Sequence, residues 1–340
     1  MSAVFGIAAL GNALGEPRSV EESAPDYTHE RLRVRNWGFR TFHRAPDDTG
    51  LTDLAAAAGR RALADAGLAA GEVDLVVLAV ADIPEHLYWD PSASTQNKLG
   101  AHRAESVLVN QACASGVAAF DTVAGKFATH PDYRVALLVA ANRVCEAYWN
   151  RMDSSPAVSS DGATAAVLVR GHPRNRWLTT EVITDGRYAD FSHLRGGGAA
   201  RPFTEGAEPP GQLRNPAELM DEFLGHDVRA TIRVARLSRQ NLRAVVEEAC
   251  KRASVPPESL RHILHMNGSR KGMQEFARAF GIPLDRTNAE ISLDHGHFGC
   301  ADQMFALGEK LARGEVREGD VVALTSTGNG MHWACTLLRI

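Results

Sequence analysis

The first group along this chain whose type and setting could do chemistry is a cysteine. Cys113 stands in Val107-Leu108-Val109-Asn110-Gln111-Ala112-Cys113-Ala114-Ser115-Gly116, where a strand-like stretch turns through small residues into the helix-like run Val117 to Phe127. That order puts the thiol at the N-terminal end of a helix, where unpaired N–H groups and the positive end of the dipole favour thiolate over thiol. Ala112, Ala114, Ser115 and Gly116 leave room for a carbonyl to approach the sulfur. A buried structural cysteine fits the same residues and is the alternative on this motif alone.

The 340 residues, 44% hydrophobic and 23% charged, suffice for one large or two ordinary domains. A net charge of −4 gives no electrostatic case for nucleic acid or for an acidic membrane surface. The cysteines (Cys113, Cys145, Cys250, Cys300, Cys335) are scattered, without CxxC or Cys/His metal spacing. They read as reduced thiols of a cytoplasmic protein that holds no metal. Met1 to Gly15 reads as a first buried strand, not a signal peptide, and no apolar run is long enough to span a bilayer.

The elements that must position Cys113 occur twice. Leu68 to Val77 follows an Ala-rich helix and ends in a strand, and Val255 to Leu264 does the same after Leu242 to Ala253. The same offset of 187 residues sets Val135-Ala136-Leu137 against Val322-Ala323-Leu324, and Cys113 against Cys300. Continuous apolar runs at Leu75–Val80, Val135–Ala140, Ala163–Val169, Ile263–Met266, Val321–Thr325 and Ala334–Ile340 predict strands covered on both faces. The expected fold is α/β, with five layers α/β/α/β/α built from two duplicated halves, residues 1–172 and 173–340. Val117–Phe127 and Gln303–Leu311 are its central helices, and the Gly/Pro-rich stretch Gly196 to Gly211 is a long loop of the second half.

These halves, the cysteine before a central helix, Ser160-Asp161-Gly162-Ala163-Thr164-Ala165-Ala166 and the closing Gly328-Asn329-Gly330-Met331-His332-Trp333 together resemble the thiolase superfamily. Within it the chain is most similar to ketoacyl-ACP synthase III. Condensing members pair Cys with His and with an asparagine in a H-G-N-T-S-like turn. Here the turn reads His295-Gly296-His297-Phe298-Gly299-Cys300-Ala301-Asp302-Gln303, with His297 in the asparagine position. That pattern is similar to the synthase-III-like acyltransferases of natural-product (polyketide, antibiotic) pathways, such as the daunorubicin starter-unit enzyme and the cervimycin malonyl transferase.

The resemblance implies a Cys113-His297-Asp302 triad. Acyl transfer to a hydroxyl or amine needs a base for the acceptor proton, and histidine supplies one near neutrality where asparagine does not. Asp302 would hold the far ring nitrogen and stabilise the imidazolium. His265 matches the catalytic histidine of condensing members and Asn267 lies beside it; His193 falls where daunorubicin-type enzymes carry a pocket histidine. The N–H groups of Cys113 and Gly330 are the family's oxyanion positions. Trp37 and Arg40 are the nearest match to its coenzyme A grip, although Arg33, Arg35, Arg40 and Arg44 suit an acidic carrier-protein face or plain solvent equally.

No permanent cofactor is implied; the donor would be acyl-CoA or the phosphopantetheine thioester of an acyl carrier protein. The family implies a homodimer, with Val107–Asn110 at the two-fold axis and Asp82–Asn97 across the interface. Three other readings stand beside acyl transfer: a decarboxylative condensing synthase, a catalytically silent partner of a synthase, and thioester hydrolysis by the same triad.

Overall fold

Five of the six continuous apolar runs become inner strands of two sheets, and the run at 263–266 falls on an edge strand. In the computed structural model, which describes residues 4–204 and 211–340, the first half of the chain runs β1 (Phe5–Leu14), β2 (Glu16–Ser19), α1 (Val20–Tyr27), α2 (Arg31–Trp37), β3 (Thr41–Arg44), α3 (Leu51–Ala66), β4 (Leu75–Val80), α4 (Pro91–Leu99), β5 (Glu105–Asn110), α5 (Ser115–Thr129), β6 (Val135–Asn142) and β7 (Gly162–Arg170). The second half runs β8 (Arg176–Thr184), α6 (Pro216–Phe223), α7 (Val228–Arg252), β9 (Leu260–Leu264), α8 (Arg270–Phe280), α9 (Ala289–His295), α10 (Asp302–Ala312), β10 (Val321–Gly328) and β11 (His332–Arg339).

The first sheet has the order β5-β4-β6-β7-β1 and the second β9-β10-β11-β8. Within them β5, β4 and β6 are mutually parallel, as are β9 and β10, while β7 and β11 each run against their neighbours. The sheets meet edge to edge at one bridge, Gly6 to Arg176, next to the turn at 171–175 that connects them. Every residue of β4 and β6 is buried. On one outer face α3 packs on β1, β6 and β7; on the other α7 packs on β8, β10 and β11. Between the sheets lie α5 and α10, and α5 touches β4 and β6 of the first sheet and β8 and β11 of the second. This is the five-layered α/β/α/β/α arrangement read from the sequence.

The repeat register is kept in three dimensions. The offset of 187 that carries Cys113 onto Cys300 carries Ser115, first residue of α5, onto Asp302, first residue of α10. Among the described residues the second sheet has no counterpart of β5, and α9 with the His295–Gly299 turn occupies that stretch of chain; the register also lapses at the ends of each half, where β8 starts 171 residues after β1 and β11 starts 170 after β7. The strand expected at Ile263–Met266 begins earlier and stops at Leu264, because the His265 N–H turns away to donate to Asn288 Oδ1 (2.8 Å). Of the long loop at 196–211, residues 205–210 lie outside the described residues. No helix among the described residues is long and apolar enough to cross a membrane.

Candidate active site

Cys113 reaches the start of α5 through a strained corner. Ala112 has φ +49°, a conformation that costs a non-glycine residue about 1 kcal/mol or more, so its surroundings must impose it. Ser115 does so: its Oγ accepts from the Gln111 N–H (2.6 Å) and lies within bonding distance of the carbonyls of Ala112 (2.7 Å) and Val80 (2.8 Å). Ser326 Oγ donates to the Cys113 carbonyl (2.7 Å), tying the corner to β10. Gly328 lets the strands come this close, since a Cβ there would lie 2.2 Å from the Gln111 carbonyl oxygen.

His297 comes from the other half of the chain. Its N–H donates to the Val158 carbonyl (2.8 Å) and its carbonyl accepts from the Ser160 N–H (2.8 Å), so its backbone is a short strand against 158–160. Gly299 follows at φ +58°, where a Cβ would lie 2.5 Å from Asn142 Oδ1. This geometry aims the His297 ring at the corner: Nε2 is 3.4 Å from Cys113 Sγ, and Nδ1 is 2.6 Å from Asp302 Oδ2. Asp302 is fully buried and also accepts from the backbone N–H groups of Asn267 (2.6 Å) and Phe298 (2.7 Å). Burial pulls the His297 pKa down, but the Asp302 charge and then Cys113 outweigh it, and the net direction is well upward. The three side chains therefore form a hydrogen-bonded line.

A cavity of about 460 Å³ opens on Cys113 and His297, walled on its polar side by Asp82, Asn110, Asn142 and Asn329. A larger hollow of about 680 Å³ adjoins it across Ile83, Pro84 and Val144, and another of about 700 Å³ lies elsewhere; neither contains Cys113 or His297. Asn329 and Gly330 form the β10–β11 turn, Gly330 at φ +96°.

Four of the residues singled out in the sequence lie elsewhere. His193 does not line the cavity: its neighbours Ser192 and Leu194 do, and its exposed ring donates from Nδ1 to the Asp190 carbonyl (3.0 Å). Asn267 is not a pocket residue either; it is buried behind the turn, donating to the Gly296 carbonyl (2.6 Å) and accepting from Asn288 Nδ2 (2.7 Å). Arg40 is bound to Asp294 (2.5 Å) and Glu290 (3.0 Å), and Trp37 lies under the Arg33 guanidinium; neither lines the Cys113 cavity.

His265 sits behind the cavity wall with Nδ1 3.0 Å from Thr325 Oγ1 and its ring stacked on Phe276 at 4.4 Å. Burial pushes its pKa down to about 4; the Thr325 bond opposes this weakly and the His297 charge adds to it. It is neutral at neutral pH.

Two groups at the site escaped the sequence reading. Asp82 lies just past the end of β4, on the carboxyl edge of the three parallel strands, a position where α/β sheets bind ligands. Arg151 is fully buried and donates to both oxygens of the fully buried Asp161 (3.0 and 2.8 Å), to Glu146 (2.5 Å) and to the Ser159 carbonyl (3.2 Å). It thereby holds the 158–161 segment on which His297 is strung. An arginine in an irregular segment has no periodicity that would betray its burial.

Comparison with known proteins agrees with this architecture. Residues 109–186 match the family model of 3-oxoacyl-[acyl-carrier-protein] synthase III, and residues 250–340 match that of its C-terminal region. The β-ketoacyl-[acyl-carrier-protein] synthase III of Rhodospirillum centenum is 30% identical over 317 residues, covering 92% of this chain and 91% of that protein. That of Ruegeria pomeroyi is 28% identical, covering 98% of each. Among solved structures, the acyltransferase ChlB3 superposes with a TM-score of 0.85 at 23% identity, covering 99% of this chain and 98% of ChlB3. The synthase III of Aquifex aeolicus does so with 0.77 at 22%, covering 99% and 100%. A cysteine at the head of a buried central helix, two duplicated sheets and this degree of likeness along nearly the whole length place the chain in the β-ketoacyl-[acyl-carrier-protein] synthase III family of the thiolase superfamily.

Proposed function

We propose that this family member transfers an acyl group from a carrier-protein or coenzyme A thioester to a hydroxyl, amine or carrier thiol through an acyl-enzyme on Cys113, without forming a carbon–carbon bond. The observation that carries the reading is the line from Cys113 Sγ through the His297 ring to Asp302, with histidine where condensing members place asparagine. Likeness to ChlB3, named an acyltransferase, supports it.

In this reading His297 takes the Cys113 proton as the sulfur attacks the thioester carbonyl. The resulting imidazolium is stabilised by Asp302 and returns the proton to the departing carrier thiolate. Neutral His297 then takes the acceptor's proton, the acceptor oxygen, nitrogen or sulfur attacks the acyl carbonyl, and the Cys113–acyl bond breaks. The tetrahedral oxyanion falls to the backbone N–H groups of Cys113 and Gly330. His265 is bound to Thr325 and serves as a neutral wall group. A decarboxylative condensation would need two neutral donors on the thioester oxygen, and an imidazole held basic by a buried aspartate is ill-suited to be the second.

Intact-protein mass spectrometry of wild type and Cys113→Ala after mixing with a panel of acyl thioesters tests the reading. An adduct on wild type alone, with no ketone product when malonyl thioester and an acyl primer are both supplied, is the expected result. Ketone formation would return the protein to the condensing class, and no adduct with any donor would favour a silent partner.

The working form in this reading is a cytoplasmic homodimer of a natural-product pathway. β5 is the edge of its sheet, with Leu108 41% exposed and no charged residue from Ser106 to Val109 to discourage pairing, which suits strand pairing with a second copy. Sedimentation as a dimer at micromolar concentration is expected; a monomer would overturn this part.

A further inference from the structure

The wall of the Cys113 cavity carries one carboxylate, Asp82, and among the described residues no lysine or arginine; its basic side chain, His297, is already paired with Asp302 behind it. Asp82 stands where β4 gives way to the loop at 81–90, alongside Asn110 at the end of β5 and Asn142 at the end of β6, so the carboxyl ends of three parallel strands form a polar floor. Its Oδ1 accepts from the Ile83 N–H (2.7 Å), and no cation lies within ion-pair distance of it among the described residues. The other buried carboxylates around the site are answered: Asp161 by Arg151, and Asp302 by His297. A negative charge left in a half-enclosed, low-dielectric space repels a second negative charge placed there, and such repulsion discriminates between otherwise similar ligands.

We infer that Asp82 is a specificity-determining residue that restricts the cavity to uncharged acyl groups and excludes acyl groups ending in a free carboxylate, such as malonyl. The inference rests on the acyl-transfer reading in placing the acyl group in this cavity. Burial pushes the Asp82 carboxyl up to about 6, against the backbone hydrogen bonds of Ile83 and Cys145, and the comparison is made at pH 7.5, above that value. An asparagine at this position keeps the shape and the acceptor oxygen while removing the charge.

The test is calorimetric binding of butyryl-pantetheine and malonyl-pantetheine thioesters to the full chain carrying Cys113→Ala, with and without Asp82→Asn, at pH 7.5. The Cys113→Ala protein is expected to bind the butyryl thioester at least about tenfold more tightly than the malonyl thioester. Adding Asp82→Asn is expected to close most of that gap by raising malonyl affinity, leaving butyryl affinity within about twofold. A gap that persists in Asp82→Asn, or malonyl bound as tightly as butyryl before the change, overturns the inference. Retained butyryl binding shows that the variant is folded; Asp82→Ser, which also removes the charge, gives the same readout should Asp82→Asn fail to fold. Charge-selective binding together with no Cys113 adduct on wild type would uphold the selection and overturn the acyl-enzyme, so the two fail separately.

Discussion

Replacing His297 with alanine is expected to lower kcat/KM for acyl transfer by about 10²–10⁴-fold, the range lost when a general acid–base is removed. The loss should appear in both half-reactions, because the ring lies 3.4 Å from the sulfur that must lose a proton and opens onto the cavity where the acceptor must lose its own. Single-turnover adduct formation and its decay with an added acceptor, followed by mass, separate the two. A variant with undiminished transfer would remove His297 from the mechanism. Asp302→Asn should fall between wild type and His297→Ala, with a distinct signature in pH. Burial lowers the His297 pKa, while the charge of Asp302 and then Cys113 hold it well above its ordinary value. Without Asp302's charge the imidazolium is lost at lower pH, so the pH at which transfer responds to His297 shifts towards acid. The linked stability has the same sign. A raised histidine pKa contributes stability that is complete below about pH 6.5 and disappears as pH rises through the folded value. Asp302→Asn should therefore cost most in acid and least in alkali.

Arg151→Met is expected to destabilise the fold by about 3–5 kcal/mol, read as a lower urea midpoint with an unchanged slope. The change leaves Asp161, fully buried, with backbone N–H donors from Ala45 and Val144 and a longer ion pair to Arg143 (3.5 Å), but without the guanidinium that meets both its oxygens. Glu146 loses a partner as well. Burial raises the Glu146 carboxyl, yet Arg44 and Arg151 together hold it down to about 2. A depressed carboxylate contributes stability that is present above its unfolded value and lost as pH falls through the folded one, so acid unfolding of Arg151→Met should begin at a higher pH. The double variant Arg151→Met, Asp161→Asn should recover part of the loss, because it removes the stranded charge. Transfer activity should fall beyond the stability effect, since Arg151 also fixes the Ser159 carbonyl within the segment that pairs with His297. An urea midpoint equal to wild type would show that the pair contributes nothing.

The residues most readable in advance were those whose environment is set by near neighbours in the chain. The apolar runs of β4, β6, β7 and β10 announce strands covered on both faces because every second residue must meet a helix on each side. The Cys113 corner is local for the same reason: strand, small-residue turn and helix lie within about twenty residues. The repeat was legible because α5 and α10 occupy equivalent central places, and equivalent burial keeps equivalent patterning.

Other assignments depended on what distant segments do. His193 and Asn267 looked like pocket residues by position, yet one turns to solvent and the other is spent on Gly296 and Asn288. Arg40 suited a coenzyme A grip, a carrier-protein face or solvent equally, and only the fold shows it paired with Asp294 and Glu290, some 250 residues on. Asp82 and Arg151 gave no periodic or spacing signal at all.

By itself, then, the sequence determined the two-halved α/β architecture and the corner that carries the thiol, because hydrophobic period and turn chemistry act over short chain distances. The His295–Gln303 turn also offered His297 as the partner of Cys113, by resemblance; only the tertiary structure decided which carboxylates are paired and which one is left to face the cavity. Those depend on hydrogen bonds and charges brought together from opposite ends of the chain, and such partners leave no trace in local pattern.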